Sequence, residues 1–301
     1  MTGGLRPLVT IGIPTFNRIG TLPRAVGSAL RQTYGTIEVV ISDNASTDGT
    51  GAYAAALAAA DDRVRYLRLE RNMGALANFE HALRAARGEY FMWLGDDDWI
   101  DLDYLERCVP FLQDDPSLQL VAGRAHYYAG DVQVLLGEVL DLLQPEPWKR
   151  ALGYYRGVRL NGVIYGLGRT DSLRELLPLR HSFGRDWMMC ASLAYRGRIR
   201  TLTTTRVHRT VGGMSSDPNL LGQVGLGAVA ARLPYTSMLA GVFTEVVRAP
   251  AYAGLAMPRR LALASGCFWL CLIRVSRIKL GTYRDALRRR PSRPAPSRSS
   301  S

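Results

Sequence analysis

The first hundred residues alternate between short apolar runs and stretches with helical spacing. Residues 8 to 13 (Leu-Val-Thr-Ile-Gly-Ile) form a β-branched run stopped by Pro14, which cannot donate to a sheet ladder. A helical pattern from Leu22 to Gln32 follows, then an apolar run from Ile37 to Ile41 and an alanine-rich helix from Gly51 to Ala60. A third strand (Val64 to Leu69), a third helix (Ala75 to Ala86) and a fourth strand (Tyr90 to Leu94) complete the series. The strand runs are continuously apolar and are separated by helices of about ten residues. That pattern predicts an α/β fold, a mainly parallel sheet flanked by helices on both faces.

Ligands of such sheets bind outside the carboxyl ends of the strands. Each predicted strand empties into a polar cluster there: Pro14-Thr15-Phe16-Asn17-Arg18, Asp43-Asn44-Ala45-Ser46, Arg71-Asn72-Met73-Gly74 and Asp96-Asp97-Asp98. Four polar loops converging on one rim point to a binding site. Three consecutive aspartates after a buried strand repel one another unless a cation lies among them. A hard divalent ion held by one or two carboxylates and completed by substrate phosphates suits that arrangement. The competing reading of Asp96 to Asp98 is a solvated turn that caps a helix starting near Asp101, and capping is also the competing role for Asp43 and Asp48.

Beyond residue 115 the pattern weakens. It predicts a strand from Leu118 to Ala122 and helices from Asp171 to Leu177 and from Asp186 to Tyr195. Asp186 sits at a helix start, where a carboxylate is also favoured as a cap or by the helix dipole. From about Leu220 the chain is apolar and alanine-rich without strand patterning, which predicts a helical appendage. The final Arg-Pro-Ser-rich segment cannot bury a core and is expected to be disordered. The expected organisation is a catalytic domain over residues 1–215, a C-terminal helical appendage over 216–285 and a disordered basic tail over 286–301.

At 301 residues, 47% hydrophobic and 21% charged, the chain is long enough for a large domain with an appendage. The net charge of +12 suggests nucleic acid until it is located: residues from Arg274 onward carry eight of those charges. The body is only mildly basic, so no nucleic-acid function is implied. The spacing of Cys108, Cys190, Cys267 and Cys271 matches neither a disulfide framework nor a zinc site, which favours a reducing, cytoplasmic setting. The N-terminal Met-Thr-Gly-Gly-Leu-Arg-Pro lacks the basic-then-apolar pattern of a signal peptide. The apolar run from Leu261 to Ile273 falls short of the ~20 residues a bilayer span requires. Flanked by Arg259, Arg260, Arg274, Arg277 and Lys279, it reads either as a helix packed on the catalytic domain or as one lying on an anionic membrane, peripheral to its inner face.

Four blocks, in order and in register, resemble family-2 glycosyltransferases, the inverting nucleotide-sugar enzymes of the Rossmann-like GT-A fold. They are Val-Thr-Ile-Gly-Ile-Pro-Thr-Phe-Asn-Arg (9 to 18), Glu-Val-Val-Ile-Ser-Asp-Asn-Ala-Ser-Thr-Asp-Gly-Thr (38 to 50), Arg-Asn-Met-Gly-Ala-Leu-Ala-Asn-Phe (71 to 79) and Gly-Glu-Tyr-Phe-Met-Trp-Leu-Gly-Asp-Asp-Asp-Trp (88 to 99). The resemblance covers about residues 8 to 215. It implies that Pro14, Thr15, Asn17, Arg18, Asn72, Gly74 and Asp96 bind the nucleotide, and that Asp43 accepts a hydrogen bond from the base. A carboxylate suits the ring N–H of uracil or thymine, so UDP- or dTDP-sugars are favoured. It also implies that Asp97 and Asp98 hold Mn²⁺ or Mg²⁺, and that His208, in a segment resembling a loop that closes over the donor, contacts the diphosphate or serves as a further metal ligand; a purely structural histidine is the competing reading. A later block, Phe-Gly-Arg-Asp-Trp-Met-Met (183 to 189), resembles the family segment that carries the general base, which makes Asp186 the candidate. Here Arg185 stands where the family usually has an acid.

The implied reaction moves a sugar from a nucleotide donor to a hydroxyl of a glycan or lipid-linked acceptor. A sugar-phosphate nucleotidyltransferase would share the sheet, but its glycine-rich loop with a following basic residue is missing near the N-terminus. A non-catalytic nucleotide-sugar or carbohydrate-binding relative is the alternative; it would need neither the metal acids nor the base.

Overall fold

The computed structural model describes residues 6–179, 182–211 and 233–288. Strand β1 (Val9–Thr15) pairs in parallel with β2 (Ile37–Asp43) and with β4 (Tyr90–Trp93), and β3 (Val64–Arg68) pairs in parallel with β2. Every residue of β1, β2 and β4 is buried, as strands covered on both faces must be. Their cover is α1 (Leu22–Leu30), α2 (Thr50–Ala60) and α3 (Ala75–Ala85). Ile11, Ile13, Val39, Ile41, Leu22, Val26, Leu83 and Phe91 are fully buried in the resulting core.

The sheet continues less regularly. After the two-residue β5 (Trp99–Ile100) and α4 (Tyr104–Asp114) comes the long β6 (Leu118–Ala129), folded back as β7 (Val132–Leu136). Then follow α5 (Pro147–Gly157), a 3₁₀ turn (Gly162–Tyr165), β8 (Leu167–Arg169), α6 (Thr170–Arg174), α7 (Arg185–Arg196) and β9 (Arg198–Thr210). The strand order is β3-β2-β1-β4-β8-β6-β9-β5, with β7 on β6; β8 is antiparallel to both neighbours, and β6 and β9 are parallel. β9 runs where a donor-closing loop around His208 is expected from the sequence. It pairs with β6 on one side and with β5 on the other, so His208 lies in a ladder opposite Trp99. Residues 212–216 of that expected loop, the 215/216 domain boundary, the start of the appendage near Leu220 and tail residues 289–301 lie outside the described residues.

The last two helices, α8 (Pro234–Arg248) and α9 (Met257–Arg288), pack on each other and, through α5 and α7, on the sheet domain. α9 extends three residues past the point where a disordered tail is expected. Leu263, Ala264, Cys267, Cys271 and Val275 give α9 a buried face, and all four cysteines are free and buried. No helix among the described residues is long and apolar enough to cross a membrane. Arg150 staples this side. Only 4% exposed, it donates from Nε, Nη1 and Nη2 to the carbonyls of Ala194, Gln144, Pro145 and Tyr195, and so satisfies the C-terminal end of α7.

Candidate active site

The four rim loops meet at the carboxyl ends of β1, β2, β3 and β4, and their side chains knit them into one surface. Asn17 takes positive φ (54°), so its N–H reaches Ser46 Oγ while its Oδ1 accepts from the Thr47 N–H. Asn44 and Asn72 tie the second loop to the third. Asn44 Nδ2 donates to Asn72 Oδ1, which also accepts from the Gly74 N–H, and Asn44 Oδ1 accepts from the Met73 N–H. Gly74, at φ 86°, opens α3 in a conformation that a β-carbon would strain. The Thr15 hydroxyl is buried on this rim and faces the Asp96 carboxyl. Arg18 Nε lies 3.9 Å from Asp96 Oδ1. Pro14 is buried at the end of β1.

Asp48 behaves as a capping residue. Its Oδ1 accepts from the Thr50 N–H and hydroxyl at the first helical position of α2, and its Oδ2 accepts from the Ile19 N–H. Asp43 is fully buried and already engaged: Oδ1 accepts from the Ser46 N–H, and Oδ2 accepts from Tyr66 Oη at 2.8 Å and Arg68 Nη1 at 2.9 Å. It presents no surface to solvent in this conformation. The Arg68 side chain, 45% exposed, is the lid over it.

Beyond β4 the aspartates turn inward. A β-carbon on Gly95 would meet Asp98 Oδ2 at 2.7 Å and Asp97 Oδ1 at 3.3 Å, so both carboxylates fold over the same glycine. Asp97 is pinned through its backbone carbonyl, which accepts from Arg24 Nη2 and Thr210 Oγ1, and its carboxylate has no hydrogen-bond partner among the described residues. Asp98 is 2% exposed; Oδ1 accepts from the Thr210 N–H and Oδ2 from Arg209 Nε at 3.4 Å. Burial, then the Asp97 charge, pushes the Asp96 carboxyl up to about 7. Burial also lifts Asp98 to about 6, with Arg209 pulling down and Asp97 pushing up. A cation among these groups would reverse that balance.

Arg209 carries no obvious signal in the sequence. Its guanidinium lies over the rings of Tyr165 (4.5 Å) and Tyr127 (5.3 Å), and Nη1 donates to Tyr127 Oη. Both ring nitrogens of His208 are engaged by side chains in this structure. Its Nε2 is 2.7 Å from Asp101 Oδ1, its Nδ1 is 3.0 Å from Tyr128 Oη, and its ring stacks on Trp99 at an interplanar angle of 1°. Nε2–H donating to the Asp101 carboxylate and Nδ1 accepting from Tyr128 satisfies all three groups. Among the described residues no group of three or more His, Cys, Asp or Glu side chains is arranged to hold a metal by itself. The carboxylates of Asp97 and Asp98 over Gly95 could supply one or two oxygens to a hard cation.

Asp186 lies in the first turn of α7, after Gly184 at φ 73°, and is partly exposed. Its Oδ2 accepts from Asn161 Nδ2 at 2.8 Å. Burial raises its pKa; the Asn161 amide, the Trp187 N–H and the Arg209 charge draw it back. Arg185 points away from the site, into a buried ion pair with Glu245 of α8 at 2.7 Å. The acid absent from this block of the sequence thus faces Arg185 from another helix.

The family model for glycosyl transferase family 2 matches residues 10–164. The chain belongs to glycosyl transferase family 2. WcaA of Escherichia coli K12, named for glycosyl transfer in colanic acid biosynthesis, is 35% identical over 165 residues, 52% of this chain and 56% of that protein. The succinoglycan biosynthesis protein ExoO of Rhizobium meliloti is 39% identical over 103 residues, 34% of this chain and 29% of that one. The chain thus spans about half the length of WcaA and less than a third of ExoO. In fold it resembles S. aureus TarS 1-349 in complex with UDP-GlcNAc, with a TM-score of 0.61, 19% identity, and 85% of this chain and 70% of that one covered. It also resembles the mannosyltransferase PcManGT of Pyrobaculum calidifontis, in complex with GDP-Man and Mn²⁺, with a TM-score of 0.57, 18% identity, and 93% and 81% covered. The fold is the GT-A fold.

Proposed function

We propose that this chain is an inverting, divalent-metal-dependent glycosyltransferase that moves a sugar from a UDP- or dTDP-linked donor to a hydroxyl of a glycan or lipid-linked acceptor. The observation that carries the reading is the convergence of Asp97 and Asp98 over Gly95, on the rim shared with Thr15, Arg18 and Asp96. Pro14, Thr15, Asn17, Arg18, Asn72, Gly74 and Asp96 line the nucleotide side. Asp43 reaches the base once Arg68 swings out. Asp97 and Asp98 would hold Mn²⁺ or Mg²⁺, which supplies neutralisation of the charge that develops on the diphosphate leaving group. Asp186 takes the proton of the acceptor hydroxyl as its oxygen attacks the anomeric carbon. The new C–O bond forms while the bond to the diphosphate breaks, so one in-line displacement inverts the centre.

Incubation with UDP-glucose, UDP-N-acetylglucosamine and dTDP-glucose should release UDP or dTDP from at least one donor in Mn²⁺, stop with EDTA and resume when Mn²⁺ is restored. Binding of a nucleotide without release from any donor would favour the non-catalytic reading.

We further propose that the chain works on the cytoplasmic side and rests on anionic membrane through α9. Along α9 a stripe beside its contact with α8 exposes Met257 (52%), Leu261 (43%), Trp269 (60%) and Ile273 (47%) in four-residue steps interrupted by Ser265, with exposed Arg259 and Arg277 flanking it. Trp269 together with Ile273 changed to Ser should lose co-sedimentation with phosphatidylglycerol vesicles that the wild type shows. Absence of wild-type sedimentation with those vesicles would end this reading.

A further inference from the structure

We propose that Asn161 is a positioning residue for Asp186, one that no motif of the sequence announces: its side-chain amide holds the carboxylate in the orientation that receives the acceptor proton. This inference rests on Asp186 being the general base. Three fixed contacts leave Asn161 little choice of conformation. Its backbone takes the left-handed region (φ 52°, ψ 43°), which asparagine tolerates better than most residues. That turn is held from below by Glu138, whose carboxylate accepts from the N–H groups of Arg159, Leu160 and Asn161 at 2.9 to 3.2 Å. The amide itself cannot flip without loss. The fully buried Tyr154 donates its hydroxyl to Asn161 Oδ1 at 2.7 Å, which leaves Nδ2 to donate to Asp186 Oδ2 at 2.8 Å. Asn161 is 1% exposed, whereas Asp186 is partly exposed. The Asp186 carboxylate is thus anchored through Oδ2 by the Asn161 amide, next to the Trp187 N–H of its own helical turn.

The groups around the carboxylate are Asn161 from the 3₁₀ turn, Tyr154 from α5, Cys190 one turn along α7, and Arg209 from β9. Glu138 lies beyond Tyr154 and Cys190 and acts on those two. Arg209 is the cation of this set, and Asn161 is the neutral donor. Removing the donor withdraws a hydrogen bond made to the charged form of Asp186.

The test follows the Asp186 carboxyl directly, by ¹³C NMR titration of the full-length protein, with the resonance assigned by its loss in Asp186→Asn. Asn161→Gly keeps the left-handed turn and removes the amide; the Asp186 midpoint should move to higher pH. Asn161→Asp keeps the shape and the bond from Tyr154 but sets a like charge against Asp186, so the midpoint should move further in the same direction. Tyr154→Phe frees the amide to flip, should give a smaller upward shift, and serves if either Asn161 variant fails to fold. UDP affinity, read by calorimetry, should stay at the wild-type value throughout. An unchanged midpoint in the folded variants would overturn the positioning role. Turnover surviving in Asp186→Asn would instead remove the general-base reading, so the two failures are told apart.

Discussion

Asp186→Asn is expected to reduce turnover by about 10²–10⁴-fold, the usual contribution of a general base, while UDP affinity stays within a factor of about two. The asparagine has nearly the same shape and can still accept from Asn161 Nδ2 through its Oδ1, so the anchor seen in the structure survives. It cannot take a proton. The fold should not suffer, as the sign of the pKa shift indicates. Burial raises the Asp186 pKa, so the folded chain binds that proton more tightly than the unfolded chain does. Its charged form therefore costs stability at neutral pH, and that cost fades as pH falls through the raised value toward the ordinary carboxylate pKa. A neutral amide removes it. In the wild type the same shift places the acid limb of kcat/KM above the ordinary carboxylate range, since the base works only when deprotonated. Steady-state kinetics at saturating donor, beside UDP calorimetry, check this; turnover within tenfold of wild type would contradict it.

The first half of the sheet was legible because both of its faces are covered. Val9 to Ile13, Val39 to Ile41 and Tyr90 to Trp93 are all buried, so their runs stayed apolar apart from Thr10, whose hydroxyl is satisfied by Glu38. The rim was legible for the same reason, since polar residues crowd where each run stops. The far half was not. Strand β9 reads Arg-Ile-Arg-Thr-Leu-Thr-Thr-Thr-Arg-Val-His-Arg-Thr and alternates only in part, because its pairing with β6 shifts register between Gly123 and Arg124. Charged residues at Arg198, Arg200, Arg206 and Arg209 hid a strand whose ends serve α4 and the aspartate loop. His208 was accordingly placed in a loop, whereas it lies in a ladder with its two nitrogens engaged by Asp101 and Tyr128. Arg209 and Asn161 escaped notice because their roles depend on neighbours far away in sequence: Asp98, Tyr127 and Tyr165 for one, and Tyr154, Glu138 and Asp186 for the other. Asp43 was legible only in part. Its place at the end of β2 was legible, but its partners Tyr66 and Arg68 come from β3, and only the fold brings them over it.

Nucleotide binding that depends on metal is the second consequence, and its size follows from linkage. A ligand present at about 100 times its Kd stabilises the folded state by ~2.7 kcal/mol. A chain of this size shifts its Tm by about 2–4 °C per kcal/mol, so a rise of ~5–10 °C is expected. UDP alone should give less, because its diphosphate then faces the carboxylates of Asp96, Asp97 and Asp98, which Arg18, Arg24 and Arg209 offset only in part. Asp97 is the residue to remove. Its carboxylate holds no described hydrogen bond, so Asp97→Ala takes away an ion ligand without unpicking the fold, whereas Asp98 is bound to Thr210 and Arg209.

The most direct measurement is therefore a thermal-shift screen of UDP, dTDP, GDP and CDP, each with and without Mn²⁺, on the wild type and on Asp97→Ala. UDP or dTDP should raise Tm most in Mn²⁺, and in Asp97→Ala the rise should fall to the metal-free level. Equal stabilisation with and without Mn²⁺, or no stabilisation by any of the four nucleotides, would contradict it.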